Sequence, residues 1–493
     1  MAEQLGRRQR RSRKATLLLA FAALAMERAD AAMLPAVYRE IGTALQASPT
    51  ALGSIALSRS VVQTACYPLA AYLAARHDRL TVIALGAFVW AVATFLIGIS
   101  TTFPQMAVTA ALNGVGLALQ IPAIYAFVAD SVDGARRGMA FGWLAVAGKA
   151  GTVAGTSLGL LMAPTSFLGL PGWRLAFLLL GILGAAVGVS IRAFAASDAA
   201  GGRVVTAATV KPVRQELQEF AREAKAVMRV PSFQVIIAQG LTGSFPWSAL
   251  LFTAMWLELV GFSHGETAAL MTLFKVATSL GALFGGKMGD ALARRFKNSG
   301  RIVLSQISSG SAIPLAGVLL LGLPNDPSTT VKHGAALFIL GIMASWNGTA
   351  TNSPILAEIV PPRAMTTVFA LDRTFEAVLA SFAPPVVGML AERLYGYKLA
   401  RSTAGGGGVD ERAAVDADVE MERHNATSLA RAIYTSIAVP MALCCAIYSF
   451  LYCTYPKDRE VARAEAARDR GGHGGDGSDS EDEGDGEKKL LPQ

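Results

Sequence analysis

Long apolar runs, each about as long as a bilayer-crossing helix, decide what this chain can fold into. They lie at 15–38, 51–75, 81–100, 104–129, 138–163 and 173–194, then at 233–258, 266–289, 302–323, 333–359, 366–391 and 429–454. At a rise of about 1.5 Å per residue, about twenty residues cross the hydrocarbon layer. In lipid the backbone must satisfy its own hydrogen bonds, so such runs form helices or closed barrels. No barrel-like alternation of period two is visible. The order is six runs, a polar stretch near 195–230, then six more. This predicts an all-α membrane protein: twelve transmembrane helices in two pseudo-symmetric six-helix bundles. The expected divisions are a basic cytoplasmic tail (1–14), an N-terminal bundle (15–194), a linker (195–230), a C-terminal bundle (231–455) with an outer loop at 396–428, and an acidic tail (456–493). The composition of that last tail predicts disorder.

The rest of the composition narrows the class. Only 16% of residues are charged, against about a quarter in soluble domains. A sequence pI of 9.4 does not mark a nucleic-acid binder, because the positive charge flanks apolar runs and forms no groove with interleaved aromatics. Arginines before Leu17–Ala25 resemble a signal peptide, but apolar character resumes from Ala29 to Val37, which reads as one uncleaved span. Cys66, Cys444, Cys445 and Cys453 all fall in apolar runs and read as small buried hydrophobes. The five histidines, His77, His264, His333, His424 and His473, are scattered in loops and tails. No metal-ligand cluster, phosphate-cradling loop or nucleophile elbow stands out, so neither a cofactor nor an enzyme activity is expected.

Lys and Arg in short loops set the orientation. The N-terminal tail, Arg76, Arg79, Arg136, Arg137, Arg294, Arg295, Lys297 and Arg363 fall on one side, which places both termini in the cytoplasm. The organelle, plasma membrane or endomembrane, stays open. Asn425-Ala426-Thr427 is a glycosylation acceptor pattern on the outer side. Ser478 and Ser480 lie among acids, as sites for an acid-directed kinase do.

The two sets of runs echo each other. Arg76, Asp78 and Arg79 follow the second run; Gly286, Asp290, Arg294 and Arg295 follow the eighth. Asp130 and Arg137 follow the fourth run; Glu358 and Arg363 follow the tenth. Parallel repeats of this kind are one transporter architecture, with the site between halves near the midplane. Over about 15–455 the chain resembles the major facilitator superfamily, whose loops after the second and eighth helices carry Gly, three residues, Asp and then basic residues. The second copy fits at Gly286, Asp290 and Arg294; in the first, Ala71 and Ala75 stand where Gly and Asp are expected. The resemblance implies that these acids and arginines close a cytoplasmic gate. Met26-Glu27-Arg28-Ala29-Asp30 with Met33-Leu34-Pro35, and Ala370-Leu371-Asp372-Arg373-Thr374-Phe375-Glu376, resemble a spinster-like or related plant subgroup.

Ionised side chains within the runs are the candidate site. A charge at the bilayer centre costs roughly 2.5–3.5 kcal/mol even on insertion scales, so each must face a partner or water. The first run carries Glu27, Arg28 and Asp30, and the second carries Arg59 and Gln63. Lys149 lies in the fifth run and Lys275 in the eighth. Asp372, Arg373 and Glu376 lie in the eleventh. Asn113, Gln120, Asn347 and Asn352 lie in the fourth and tenth, beside Pro122 and Pro354. Trp247 follows Phe245-Pro246 in the seventh. The family fold sets helix 2 against helix 11, which implies that Arg59 pairs with Asp372 or Glu376. Gly151, Gly155 and Gly159 share one helix face and read as a packing seam.

Together these readings point to a secondary active transporter, working as a monomer, that moves a small organic solute by alternating access. Lys149 and Lys275 favour an anionic group on the solute. Glu27, Asp30 or an acid of the eleventh run is the candidate proton carrier. The rival readings are a lipid or lysolipid transporter of spinster type, and a receptor or scaffold that kept the fold without transport. Membrane lipids, the solute and protons are the expected partners; nucleic acid is not.

Overall fold

The computed structural model describes residues 2–132, 134–200, 218, 221–222, 224–360, 365–399 and 411–472. The apolar runs are helices, and capping residues in the polar gaps start them. Helix α1 (Ala2–Ala36) leads through a short α2 (Tyr38–Leu45) to α3 (Pro49–Arg76). Ser48 caps α3, with Pro49 at the first turn, and Asp78 caps α4 (Arg79–Ile99) through Thr81 N–H. A Thr102–Gln105 capping box opens α5 (Phe103–Ser131), leaving few of its first donors orphaned. Helix α6 (Gly134–Met162) meets α7 (Gly172–Ala200) through a hairpin of two-residue strands, Ser166–Phe167 and Leu170–Pro171.

The second set begins with α8 (Pro231–Ala249), a 3₁₀ turn (Leu250–Phe252) just after Pro246, and α9 (Thr253–Val260). Next come α10 (His264–Arg295), opened by a Ser263–Glu266 capping box, and α11 (Gly300–Gly317) with a π turn to Gly322. The tenth run is broken. Helix α12 (Thr330–Ala344) stops before Trp346, and a π turn (Gly348–Asn352) leads into α13 (Ser353–Ile359). Helices α14 (Met365–Ala380), α15 (Ala383–Met389), α16 (Glu411–Tyr448) and α17 (Leu451–Gly472) follow. Among the described residues, nine helical stretches are long and apolar enough to cross a membrane. Of the remaining runs, the first carries three charges at 27–30, the second is laden with Arg59, Gln63 and hydroxyls, and the tenth is the broken one.

Three boundary expectations need correction. The basic tail is helical and continuous with the first span. The outer loop ends early, because α16 begins at Glu411. Helix extends through Gly472, so the part of the acidic tail up to that residue is ordered. This stretch is rich in Ala, Glu and Arg, all strong helix formers. Ser478 and Ser480 lie outside the described residues. Asn425 is buried, with its amide hydrogen-bonded to both backbone groups of Lys398, which removes it as a glycosylation acceptor. Cys453 is exposed and Cys66 and Cys445 are partly so, leaving Cys444 as the buried one.

Glycines set the closest helix contacts. A Cβ on Gly151 would lie 2.0 Å from the Ala25 carbonyl oxygen, and one on Gly155 2.0 Å from that of Ala29. Only hydrogen fits between α1 and α6 there, and this contact sets the rotation of α1. Helix α1 also packs on α7, α4 on α5 and α7, and α3 on α5. In the second set α10 packs on α11 and α12, and α16 on α8 and α11, with α14 on α8. Between the sets, α3 packs on α15 and α6 on α10.

Candidate functional site

The charged face of α1 meets α3, α4 and α5. Asp30 is the hub. Its Oδ2 lies 3.3 Å from Arg59 Nη2 and accepts from Asn113 Nδ2 at 3.0 Å. Its Oδ1 accepts from Thr94 Oγ1 at 3.1 Å. Asp30 and Asn113 are fully buried and Arg59 nearly so. A buried charge persists when paired and hydrogen-bonded, and here each carboxylate oxygen has a donor. Arg59 therefore does not pair with Asp372 or Glu376, as the family arrangement implied. The close approach of α5, with Gly114 against the Arg59 carbonyl, holds α3 and α5 together and turns the guanidinium toward Asp30.

Glu27, three residues before the hub, is also buried. Its Oε2 lies 3.2 Å from Arg28 Nε, out of hydrogen-bonding direction. Glu27, Arg28, Arg59 and Gln63 line a cavity of about 340 Å³ with Tyr38, Ser60, Tyr67, Leu117 and Ile121. Leu251, from the 3₁₀ turn after Pro246, closes it from the second set of helices. A smaller cavity shares Pro35 and Leu251 with it and is lined by Trp247, Phe274, Lys275 and Thr156. Lys275 Nζ sits 5.8 Å from the Phe274 ring centre, and Trp247 leans on the same ring. The charge of Lys149 acts on Lys275 across the α6–α10 contact, and no acid lies within ion-pair distance of Lys275 among the described residues.

The other candidates lie elsewhere. Gln120 is buried against Gly86 on α4. Asn347 donates to Ser309, and Asn352 accepts from Tyr448. Arg373 pairs with Glu376 at 3.0 Å on one face of α14, beside a buried Asp372. Of the gate residues, Arg79 pairs with Asp130 and donates to the Ala126 carbonyl at 2.6 Å. Arg301 repeats this, with Asp290 at 2.9 Å and the Ala350 carbonyl also at 2.9 Å. Glu358 pairs with Arg459. Arg294 is exposed, and Gly286 makes no tight contact. All these pairs stay within one set. The side chains of Arg76 and Arg137, and Arg363 as a whole, lie outside the described residues.

Contacts between the sets gather at the end of the molecule beyond Ala36. Arg39 Nη1 donates to the Glu258 carbonyl at 3.2 Å, and its Nη2 pairs with Glu422. Thr50 N–H donates to Glu392 at 2.7 Å. A Cβ on Gly53 would lie 2.4 Å from Pro384, and one on Gly388 2.3 Å from Thr50 N. His264 Nδ1 stands 2.7 Å from Glu258 and 3.7 Å from Glu40. Burial, then the Glu258 carboxylate, raise the pKa of Glu40. Sequence reasoning missed this cluster. It placed His264 among scattered histidines and saw no metal-ligand grouping, because the three residues converge only through folding. Glu258, an acid within Thr253–Val260, carried the same signal as Glu27.

Two packed sets of apolar helices, with a charged cavity in the first set that borders the second at Leu251, are the architecture of a solute transport protein. A family model described as the Major Facilitator Superfamily matches residues 17–384, and the chain belongs to that superfamily. An MFS-type efflux pump of Mycolicibacterium smegmatis is 26% identical over 376 residues, 73% of this chain and 80% of that protein. Multidrug resistance protein 1 of Bacillus subtilis is 29% identical over 119 residues; the match covers 24% of this chain and 31% of that relative. The fold is similar to the crystal structure of a bacterial homolog to the human lysosomal transporter Spinster, in an inward-facing and unoccupied conformation. That similarity has a TM-score of 0.72 at 18% identity and covers 91% of this chain and 98% of the other.

Proposed function

We propose that this chain is a secondary active transporter with twelve membrane spans in two six-helix bundles, carrying a small organic solute with an anionic group. The division falls in the 195–230 linker, and both termini face the cytoplasm. The observation that carries the reading is the one-ended closure. The hydrogen bonds and ion pairs that tie Arg39, Glu40 and Thr50 to the second set lie beyond Ala36, while the charged cavity, lined by the first set, borders the second at Leu251. A protein closed at one end of a central site is one of the two states that alternating access requires. With the termini in the cytoplasm, the closed end is the outer one.

The site divides the work. Asp30 and Arg59 neutralise each other and serve as a fixed anchor. Lys275, with no acid at hand beside two aromatic rings, receives the anionic group, and Trp247 and Phe274 cover the apolar part. Glu27 lines the cavity with an oxygen that lacks a hydrogen bond, and it is the proton carrier. Arg28, whose side chain is 41% exposed, is the partner that a protonated Glu27 releases.

Purified protein in liposomes, offered a metabolite mixture with and without an imposed pH gradient, tests this. The expected result is accumulation of an organic anion that depends on the gradient and is lost in Glu27→Gln. Uptake that ignores the gradient would remove the proton coupling. No uptake of any solute, together with equal labelling of cysteines placed at both ends in all conditions, would leave a receptor or scaffold.

A further inference from the structure

A five-residue turn delivers two ligand-type side chains to one point. Glu258 lies in the last turn of α9, and Gly261 ends that helix with φ +107°, a left-handed conformation that suits glycine. Ser263 caps the next helix, and His264 is its first residue. The chain thus doubles back and sets His264 Nδ1 at 2.7 Å from Glu258 Oε1. Glu40 comes from the other set of helices, on α2, with Oε1 at 3.7 Å from the same nitrogen. All three ligand atoms lie within 4.8 Å of one another. A tetrahedral zinc site has metal–ligand distances near 2.0–2.2 Å, which puts its donors about 3.4 Å apart.

The second observation is an unmet demand for positive charge. Glu258 is 1% exposed, and its Oε2 has no hydrogen bond; Glu40 Oε2 is buried and equally unpartnered. Arg39 is the nearby cation, but it donates to the Glu258 carbonyl and to the Glu422 carboxylate. One buried and one half-buried carboxylate facing one imidazole form a donor set for a doubly charged ion. The imidazole favours zinc over calcium, magnesium or manganese, which prefer oxygen ligands. The partly exposed edge of His264 leaves room for water as a fourth ligand.

We infer that Glu40, Glu258 and His264 form a divalent transition-metal site that joins the two sets of helices at the closed end. Because Glu40 belongs to one set and the other two ligands to the second, the metal binds the closed arrangement and not the separated one. A ligand that binds one state only shifts the population toward it. Zinc therefore acts as a clamp on the outer end and slows the transport cycle. Metal binding itself does not depend on the transport reading; the slowing does.

The test uses the full chain without a polyhistidine tag, in nanodiscs, titrated with zinc chloride against a competing chelator dye. Wild type is expected to bind one more zinc per chain than Glu40→Gln or His264→Asn, or to bind it at least tenfold more tightly. The acidic tail is common to all three and cancels in the comparison. Saturating zinc should also raise the unfolding temperature of wild type and not of the variants. Spin labels at Gln46 and Glu420 should show a narrower distance distribution with zinc. If His264→Asn does not fold, Glu40→Gln, nearly isosteric and partly exposed, decides alone. Equal zinc stoichiometry and affinity in wild type and Glu40→Gln would overturn the site. Binding without narrowing would overturn the clamp.

Discussion

Asp30 and Glu27 lie three residues apart on one helix, yet their surroundings differ. Asp30 has a donor on each oxygen and a guanidinium at 3.3 Å. Removing one partner of a buried pair leaves the other charge stranded, at a cost of about 3–5 kcal/mol. Asp30→Ala is therefore expected to lower the unfolding temperature sharply in a fluorescence melt. The double change Asp30→Leu with Arg59→Met should recover most of that loss, because it strands no charge. Glu27→Gln should melt like wild type, since its oxygen forms no hydrogen bond to lose. Lys275→Gln should raise the KM for an anionic solute about tenfold, as expected from losing one charge-assisted contact of about 1.4 kcal/mol. An unchanged KM in a transport assay would remove Lys275 from the substrate site. That these ionised positions need a partner or water was legible in the sequence, because a lone charge within a lipid-length run is costly. The partner of Arg59 was not, since Asp30, Asp372 and Glu376 all satisfied the charge rule, and only helix rotation chose among them.

At the scale of single elements, the glycine face of α6 explains that rotation. Gly151 and Gly155 admit the carbonyls of Ala25 and Ala29, which turns residues 27 and 30 of α1 toward α3 and α5. Gly155→Ala must push α1 away by about 1 Å or more, and overpacking of this kind costs about 1–3 kcal/mol. The expected outcome is a lower melting temperature and weaker uptake. Gly142→Ala is the matched control on the same helix, because nothing lies within 4 Å of its added methyl; the helix should tolerate or slightly favour it. Equal melting temperatures for the two variants would contradict the seam. The spacing of these glycines was readable beforehand. The break in the tenth run at Trp346 was not, since no residue there forbids helix. Pro354 lies beyond the break and opens α13.

For the whole molecule, the decisive feature is the cluster of ties between the two sets of helices beyond Ala36. Gly53 and Gly388 let α3 and α15 touch there, backbone against backbone. A methyl group at Gly53 would fall 2.4 Å from Pro384, so Gly53→Ala should destabilise the closed end without disturbing either set alone. Spin labels at Gln46 and Glu420 should then report a longer, broader distance distribution than in wild type. An unchanged distribution would mean that the contact at this end does not govern its closure. Arg79 and Arg301 make matching contacts to an acid and a carbonyl within their own sets. Arg79 and Arg301 therefore brace their own sets in this state.

By itself, the sequence determined that the chain is helical and membrane-embedded, roughly where its helices begin and end, and which side chains are too costly to sit in lipid unpartnered. Those follow from local quantities: hydrocarbon thickness, rise per residue and the price of a lone charge. Only the tertiary structure decided which charges neutralise each other, that Lys275 lies against the Phe274 ring, and that Glu40, Glu258 and His264 meet. Each of those depends on the rotation and approach of helices far apart in the chain, and these are set by close packing at many positions at once.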